Sequence, residues 1–155
     1  MTNILIIKHG SLGDLIQANG AIEDIKKSNI KSHIVLLTSS LYLDLMNKCP
    51  YVDEVLVDKR FPRWNIFYLY NLKKKLQSYK FTHVFDLQNS SRTKFYNKYL
   101  LEDSKWSSTI TTLEIGQKKS DFDREPVLKR MEIQLKKSGI KTANVKKSNL
   151  NWAIV

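Results

Sequence analysis

The sequence predicts an α/β fold: a parallel sheet with helices on both faces. Three observations predict it. Apolar, largely β-branched or aromatic runs recur at residues 4–7, 33–37, 55–57 and 81–87. Segments with helical periodicity separate them, and strands alternating with helices build parallel sheets covered on both sides. The run at 33–37, His-Ile-Val-Leu-Leu, is almost uninterrupted, as strands buried on both faces are.

Each element has its own justification. Residues 4–7, all Ile or Leu, form the first strand and end in the polar turn Lys8-His9-Gly10-Ser11. A helix starts at once behind that turn. It carries Leu12, Leu15, Ile16, Asn19, Ile22 and Ile25 on its apolar face, and Lys26 and Lys27 in its last turn, where cations suit the helix dipole. After the second strand, Thr38-Ser39-Ser40 can cap a short helix over 41–46. Pro50-Tyr51 turns the chain into the third strand, residues 55–57.

Lys59-Arg60-Phe61-Pro62-Arg63 leads into a helix of about four turns. The spacing of Trp64, Phe67, Tyr68, Leu72, Leu76 and Tyr79 puts these on its core face. The fourth strand centres on His83-Val84-Phe85 and ends in Asp86-Leu87-Gln88-Asn89-Ser90-Ser91-Arg92. A helix through Phe95, Tyr96, Tyr99 and Leu100 follows. Within 103–122 the pattern supports a short strand near 108–111. Pro126 suits the first turn of a last helix, with Val127, Leu128, Met131 and Leu135 inward and Gly139 as its C-terminal cap.

One domain of 1–139 is expected, long enough for a proper core. The 42% apolar and 10% aromatic content suits a globular chain. Residues 140–151 are polar and rich in Lys and Asn, like a linker, and the apolar Trp152-Ala153-Ile154-Val155 closes the sequence. The expectation is that 140–155 links to a further domain; the alternative is a tail that docks on this one. No apolar run nears the ~20 residues of a membrane span, and no secretion signal precedes the first strand. Cys49 is the only cysteine, and the three histidines are scattered. That excludes an intramolecular disulfide and Cys-based zinc and gives no metal-ligand spacing, in keeping with a reducing cytoplasm. The net charge is +11, from 26 Lys and Arg against 15 Asp and Glu. It favours anionic partners: nucleic acid, phosphorylated substrates or an acidic membrane surface.

Three stretches could carry chemistry. Ser11-Leu12-Gly13-Asp14 has capping-box spacing, so Asp14 can simply stabilise a helix start, worth about 1 kcal/mol. It can also be a general base at a strand end, beside Lys8, His9 and glycines that allow a ligand close. Chemistry alone favours the cap. The turn lacks both the Gly-Lys-Ser/Thr ending of a P-loop and the three glycines of a dinucleotide fingerprint. Residues 59–80 combine seven Lys and Arg with six aromatics and no acid. Such a mixture also marks single-stranded nucleic-acid binders, but helical spacing assigns most of these aromatics to the core and Lys73, Lys74 and Lys75 to a solvated helix end. Arg60 and Arg63 are the better candidates, because guanidinium forks grip phosphate or carboxylate oxygens. Third, in the polar run 86–92, either Gln88, Asn89 and Arg92 bind an oxygen-rich ligand, or Asp86 and Ser90 cap the next helix and Arg92 pairs on the surface. His9 and His83 read as structural.

Ile-Leu-Ile-Ile-Lys-His-Gly-Ser-Leu-Gly-Asp at 4–14 resembles the opening motif of glycosyltransferase family 9, the ADP-heptose:lipopolysaccharide heptosyltransferases. Pro-Tyr-Val-Asp-Glu-Val at 50–55, the basic run at 59–63, Phe-Asp-Leu-Gln at 85–88 and the last helix with Gly139-Ile140 resemble later family segments, in order. The resemblance spans nearly the whole chain but only about the first half of a family member. It implies a Rossmann-like domain, the N-terminal, acceptor-side half of a GT-B glycosyltransferase. It implies Asp14 as catalytic base, with Lys8, Gly10, Ser11, Arg60, Arg63, Gln88 and Arg92 around the acceptor. The reaction implied is an inverting transfer of a heptose or related sugar to a lipopolysaccharide-type acceptor, with no metal or other cofactor. The donor is an ADP-heptose-like nucleotide-sugar whose site belongs to a missing C-terminal domain, so this fragment alone is expected to be inactive. The partner implied is a phosphorylated glycolipid, at the cytoplasmic face of the inner membrane; nucleic acid is not expected. The alternative is a non-catalytic basic module that holds an anionic glycan, lipid or nucleic acid.

Overall fold

In the computed structural model, which describes residues 1–147 and 149–154, the elements run β1 Asn3–Ile7, α1 Leu12–Ser28, β2 His33–Thr38, a 3₁₀ turn Ser40–Tyr42, α2 Leu43–Met46, β3 Glu54–Val57, α3 Ile66–Ser78, β4 His83–Asp86, α4 Ser91–Tyr99, β5 Lys105–Ser107, α5 Thr109–Thr112, α6 Lys119–Phe122, α7 Val127–Lys137 and a closing 3₁₀ turn Asn151–Ala153. Val155, the end of the apolar run, lies outside the described residues. The strands form one sheet in the order β3-β2-β1-β4-β5, every pairing parallel. The expected α/β sheet with helices on both faces is therefore the sheet observed.

Alternation along β1 divides the core. Ile4 and Ile6 face the layer of α1, α2 and α7, with Ile22, Ile25, Met46, Met131 and Leu135. Leu5 and Ile7 face the layer of α3 and α4, with Leu72, Leu76 and Tyr96. Each of the four β1 side chains from Ile4 to Ile7 is almost wholly removed from water. At ~1.5–3 kcal/mol per buried side chain of this size, the strand anchors both layers.

Three expectations need correction. The short strand near 108–111 lies instead at Lys105–Ser107, and 109–112 is a helical turn. Its cause is local: Ser108 caps the turn, with Ser108 N donating to Thr111 Oγ1 at 2.8 Å and Thr111 N to Ser108 Oγ at 3.4 Å. Trp64 and Phe67 are exposed and not core. Asn65 caps α3 by accepting from Tyr68 N at 3.2 Å, which leaves Trp64 in the preceding loop. The inward stripe is then Tyr68, Leu72, Leu76 and Tyr79, and Phe67 points a quarter-turn or more away from it. On α1, Leu12 and Ile16 are partly exposed and line a small apolar crevice with Leu45 and Trp152; the buried stripe runs through Leu15, Ala18, Ile22 and Ile25.

Residues 140–147 are polar in composition, yet they dock on α1. Ile140 and Val145 join the core, and Asp24 accepts hydrogen bonds from Asn144 N at 2.8 Å and Asn144 Nδ2 at 2.8 Å. Trp152 packs against the same layer. Among the described residues no helix is long and apolar enough to cross a membrane.

Candidate functional site

The strand order reverses direction between β1 and β4, and ligands of open α/β sheets bind outside the carboxyl ends of the strands at such a switch point. Two loops meet there: Lys8–Ser11 after β1, and Leu87–Ser90 after β4. They are tied together. Leu87 N donates to Ile7 O at 3.0 Å, His9 N to Gln88 Oε1 at 3.1 Å, and Lys8 Nζ to Leu87 O at 3.1 Å. Gly10 makes the β1 turn possible. Its φ is +109°, and a Cβ there would run into the edge of the Tyr42 ring.

Beside this junction is an open cavity of about 450 Å³, lined by Lys8, Asp14, Gln88, Asn89 and, from α7, Arg130 and Gln134. The structure thus brings Asp14, Lys8 and Gln88 to one place. Asp14 is half-buried, and its Oδ2 accepts from Ser11 N at 3.1 Å, the reciprocal half of a capping box. Burial pushes the Lys8 ammonium below the usual lysine range; the carboxylates of Asp14 and Asp86 oppose that shift, and Arg130 adds to it. The cavity also holds Asp123 and Lys119. Asp123 is ion-paired with Lys119 at 2.7 Å and Arg130 at 3.7 Å, which leaves Asp14, among the described residues, as the lining carboxylate without a salt bridge.

The β4 loop is held from below. Burial raises the Asp86 carboxyl, against backbone bonds from Asn89 N at 2.8 Å and Gln88 N at 3.0 Å. Asn89, at φ +51°, donates through Nδ2 to Gln134 Oε1 at 3.1 Å and accepts from Thr109 N at 2.8 Å. Gln134 Nε2 in turn donates to Asp86 O at 3.0 Å and Ser107 O at 3.1 Å. Asn89 is thus engaged in structure.

Arg60, Arg63 and Arg92 do not line the Asp14 cavity; they flank it on the α3–α4 side. Arg92 donates to Tyr96 Oη at 3.2 Å and to the carbonyls of Phe61 at 2.9 Å and Arg60 at 3.3 Å, so it fastens the basic loop to α4. Arg63 stacks its guanidinium 5.6 Å from the Phe95 ring.

Between the two flanks lies a buried network centred on Asp58. His9 Nε2 donates to Asp58 Oδ2 at 2.8 Å, Tyr96 Oη to the same oxygen at 2.6 Å, and Tyr68 Oη to Oδ1. Arg60 N adds a bond at 2.9 Å. Burial raises the Asp58 carboxyl, but these four donors outweigh it and hold the group at about 2. Sequence reasoning missed Asp58, Arg130 and Gln134. An acid placed directly after the apolar strand 55–57 was a signal for the first. Gln134 on the same helical face as Met131 and Leu135 was a signal for the last.

No family model matches the chain. A Haemophilus influenzae protein named "Putative glycosyltransferase" is 37% identical over 60 residues, 39% of this chain and 17% of that protein. Among solved structures, the glycosyl transferase family 9 protein from Veillonella parvula matches with a TM-score of 0.66 and 19% identity, over 92% of this chain and 43% of its own. Escherichia coli heptosyltransferase WaaC, solved with ADP, matches with a TM-score of 0.64 and 14% identity, over 99% of this chain and 52% of its own. The chain has the α/β fold of one half of these proteins and spans about half their length or less.

Proposed function

We propose that this chain is the acceptor-side half of a family 9 glycosyltransferase, which moves a heptose or related sugar from a nucleotide-sugar to a phosphorylated glycolipid of lipopolysaccharide type. The observation that carries the reading is the convergence of Asp14, Lys8 and Gln88 in one cavity at the switch point of a heptosyltransferase-like sheet. Asp14 acts as general base. Its free carboxylate oxygen takes the proton from an acceptor hydroxyl while that hydroxyl's oxygen bonds to the anomeric carbon. The bond from that carbon to the nucleotide diphosphate breaks, the diphosphate leaves with the electron pair, and the anomeric configuration inverts. Lys8 presents fixed positive charge to the anionic substrates, beside an Arg130 that shares its charge with Asp123, and preorganised charge of this kind needs no rearrangement as the reaction proceeds. Arg60 and Arg63 reach acceptor phosphates from the flank. The donor binds in a second domain, and the work is done at the cytoplasmic face of a membrane.

One observation favours a second reading, a non-catalytic module for an anionic glycan: Asp14 already serves the start of α1. Sugar transfer by the product of the complete reading frame, with Asp14→Asn, separates the two. The cap survives in that variant, because the carboxamide oxygen of the new side chain still accepts from Ser11 N, whereas the base is lost. Unchanged transfer by the folded variant contradicts the catalytic assignment.

A further inference from the structure

Helix α3 and the loop before it expose a surface that neither the core nor the Asp14 cavity uses. Trp64 is 79% exposed, Ile66 75%, Phe67 84% and Tyr70 63%. Phe67, Tyr70 and Lys74 fall at i, i+3 and i+7, so they share an outward face, while Leu72 and Leu76 fix the opposite side of the helix on the core. Soluble proteins scatter large exposed apolar side chains singly, and four within seven residues form a patch. The patch is set among cations: residues 59–80 hold seven Lys and Arg and no Asp or Glu. Among the described residues, Lys73 faces Glu102 at 3.9 Å, and no ion pair engages Arg60, Arg63 or Lys74.

Exposed aromatic and aliphatic side chains set among positive charge call for a partner that supplies both hydrocarbon and anions. A protein partner would need an acid for each cation as well as an apolar socket. An anionic bilayer offers phosphates at the height of the cations and hydrocarbon just beneath, and Trp and Tyr favour the boundary between them. We propose that this face docks on an anionic lipid bilayer, with α3 in the plane of the interface, Trp64, Ile66, Phe67 and Tyr70 at headgroup depth, and Lys74 against lipid phosphates. The docking names the surface through which the chain meets the membrane face of the proposed function and rests on that part of the reading; it needs neither sugar donor nor acceptor, so loss of vesicle binding and loss of sugar transfer are distinguishable.

The test is co-sedimentation of the chain with phosphatidylcholine vesicles, pure or with about 30% phosphatidylglycerol, at low and high salt. The wild type binds the anionic vesicles at least ~10-fold more tightly than the neutral ones, and salt weakens the binding. Trp64→Ser with Phe67→Ser and Tyr70→Ser, all at exposed positions, lowers that affinity at least ~10-fold with unchanged circular dichroism. A second readout needs no apolar-to-polar change: lipid spin-labelled near the headgroup quenches tryptophan emission of the wild type, and Trp64→Phe removes most of that quenching. Equal vesicle binding by wild type and triple variant overturns the proposal, as does an absence of preference for anionic lipid or of quenching that depends on Trp64. Oligothymidine binding lost in the triple variant, with no vesicle binding by the wild type, overturns it in favour of single-stranded nucleic acid.

Discussion

Asp58 is the residue through which the two flanks of the cleft are joined, since it takes donors from the β1 loop, α3, α4 and the basic loop at once. Its carboxyl falls from 3.8 to about 2 on folding. A depressed carboxyl contributes stability that is complete above its unfolded value and is lost as pH falls through the folded one. The window is therefore about pH 4 down to about pH 2, and the contribution is roughly 2 kcal/mol. Urea unfolding of the wild type across this window should show that loss, and Asp58→Asn should flatten it while lowering stability at pH 7. A wild-type slope matched by the variant would remove Asp58 from the account. His9 shows what single-residue reading reaches. The sequence marks it as structural, but its partner is 49 positions away, and nothing local points from one to the other. The position of Asp14 at the strand end and in the capping box was legible because strand, glycine and acid follow one another within a few residues.

At the scale of elements, α1 decides where the chain's C-terminal segment lies. Gly20 faces the backbone of that segment, and a Cβ there would collide with the carbonyl oxygen of Asn144. Alanine gains about 1 kcal/mol of helix propensity over glycine. The clash is with backbone that Asp24 holds in place, and overpacking of this kind costs about 1–3 kcal/mol or more. Gly20→Ala should therefore lower the urea midpoint, and a raised midpoint would mean that residues 140–147 do not pack on α1. From the sequence this docking is only the alternative reading, because Lys-, Asn- and Ser-rich composition reads as linker while two buried side chains, Ile140 and Val145, carry it. The alternation of strands and helices was legible because each period is local. The β5–α5 region was not, since Ser108, Thr109, Thr111 and Thr112 suit a strand by propensity and form a capped turn through side-chain bonds. The exposed aromatics of α3 failed for a related reason: helical spacing identifies a face, and a second apolar face one residue out of phase looks the same.

Over the whole molecule, the sheet order places both polar loops at one edge, the Asp14 cavity on the α7 side and the arginines on the α3–α4 side, under a net charge of +11. Acceptor binding should accordingly weaken as salt rises, since the Debye length shortens from about 10 Å at 0.1 M to about 3 Å at 1 M. Arg60→Ala with Arg63→Ala should reduce that salt dependence, as titration calorimetry with a phosphorylated inner-core oligosaccharide would read; a double variant with the wild-type salt slope would place the acceptor elsewhere. The decisive experiment is transfer of heptose from ADP-heptose to heptose-deficient lipopolysaccharide by the product of the complete reading frame, wild type against Asp14→Asn. Loss of a general base predicts a kcat lower by about 10²–10⁴-fold with acceptor affinity and thermal unfolding little changed. A folded Asp14→Asn protein that transfers the sugar at the wild-type rate would contradict it.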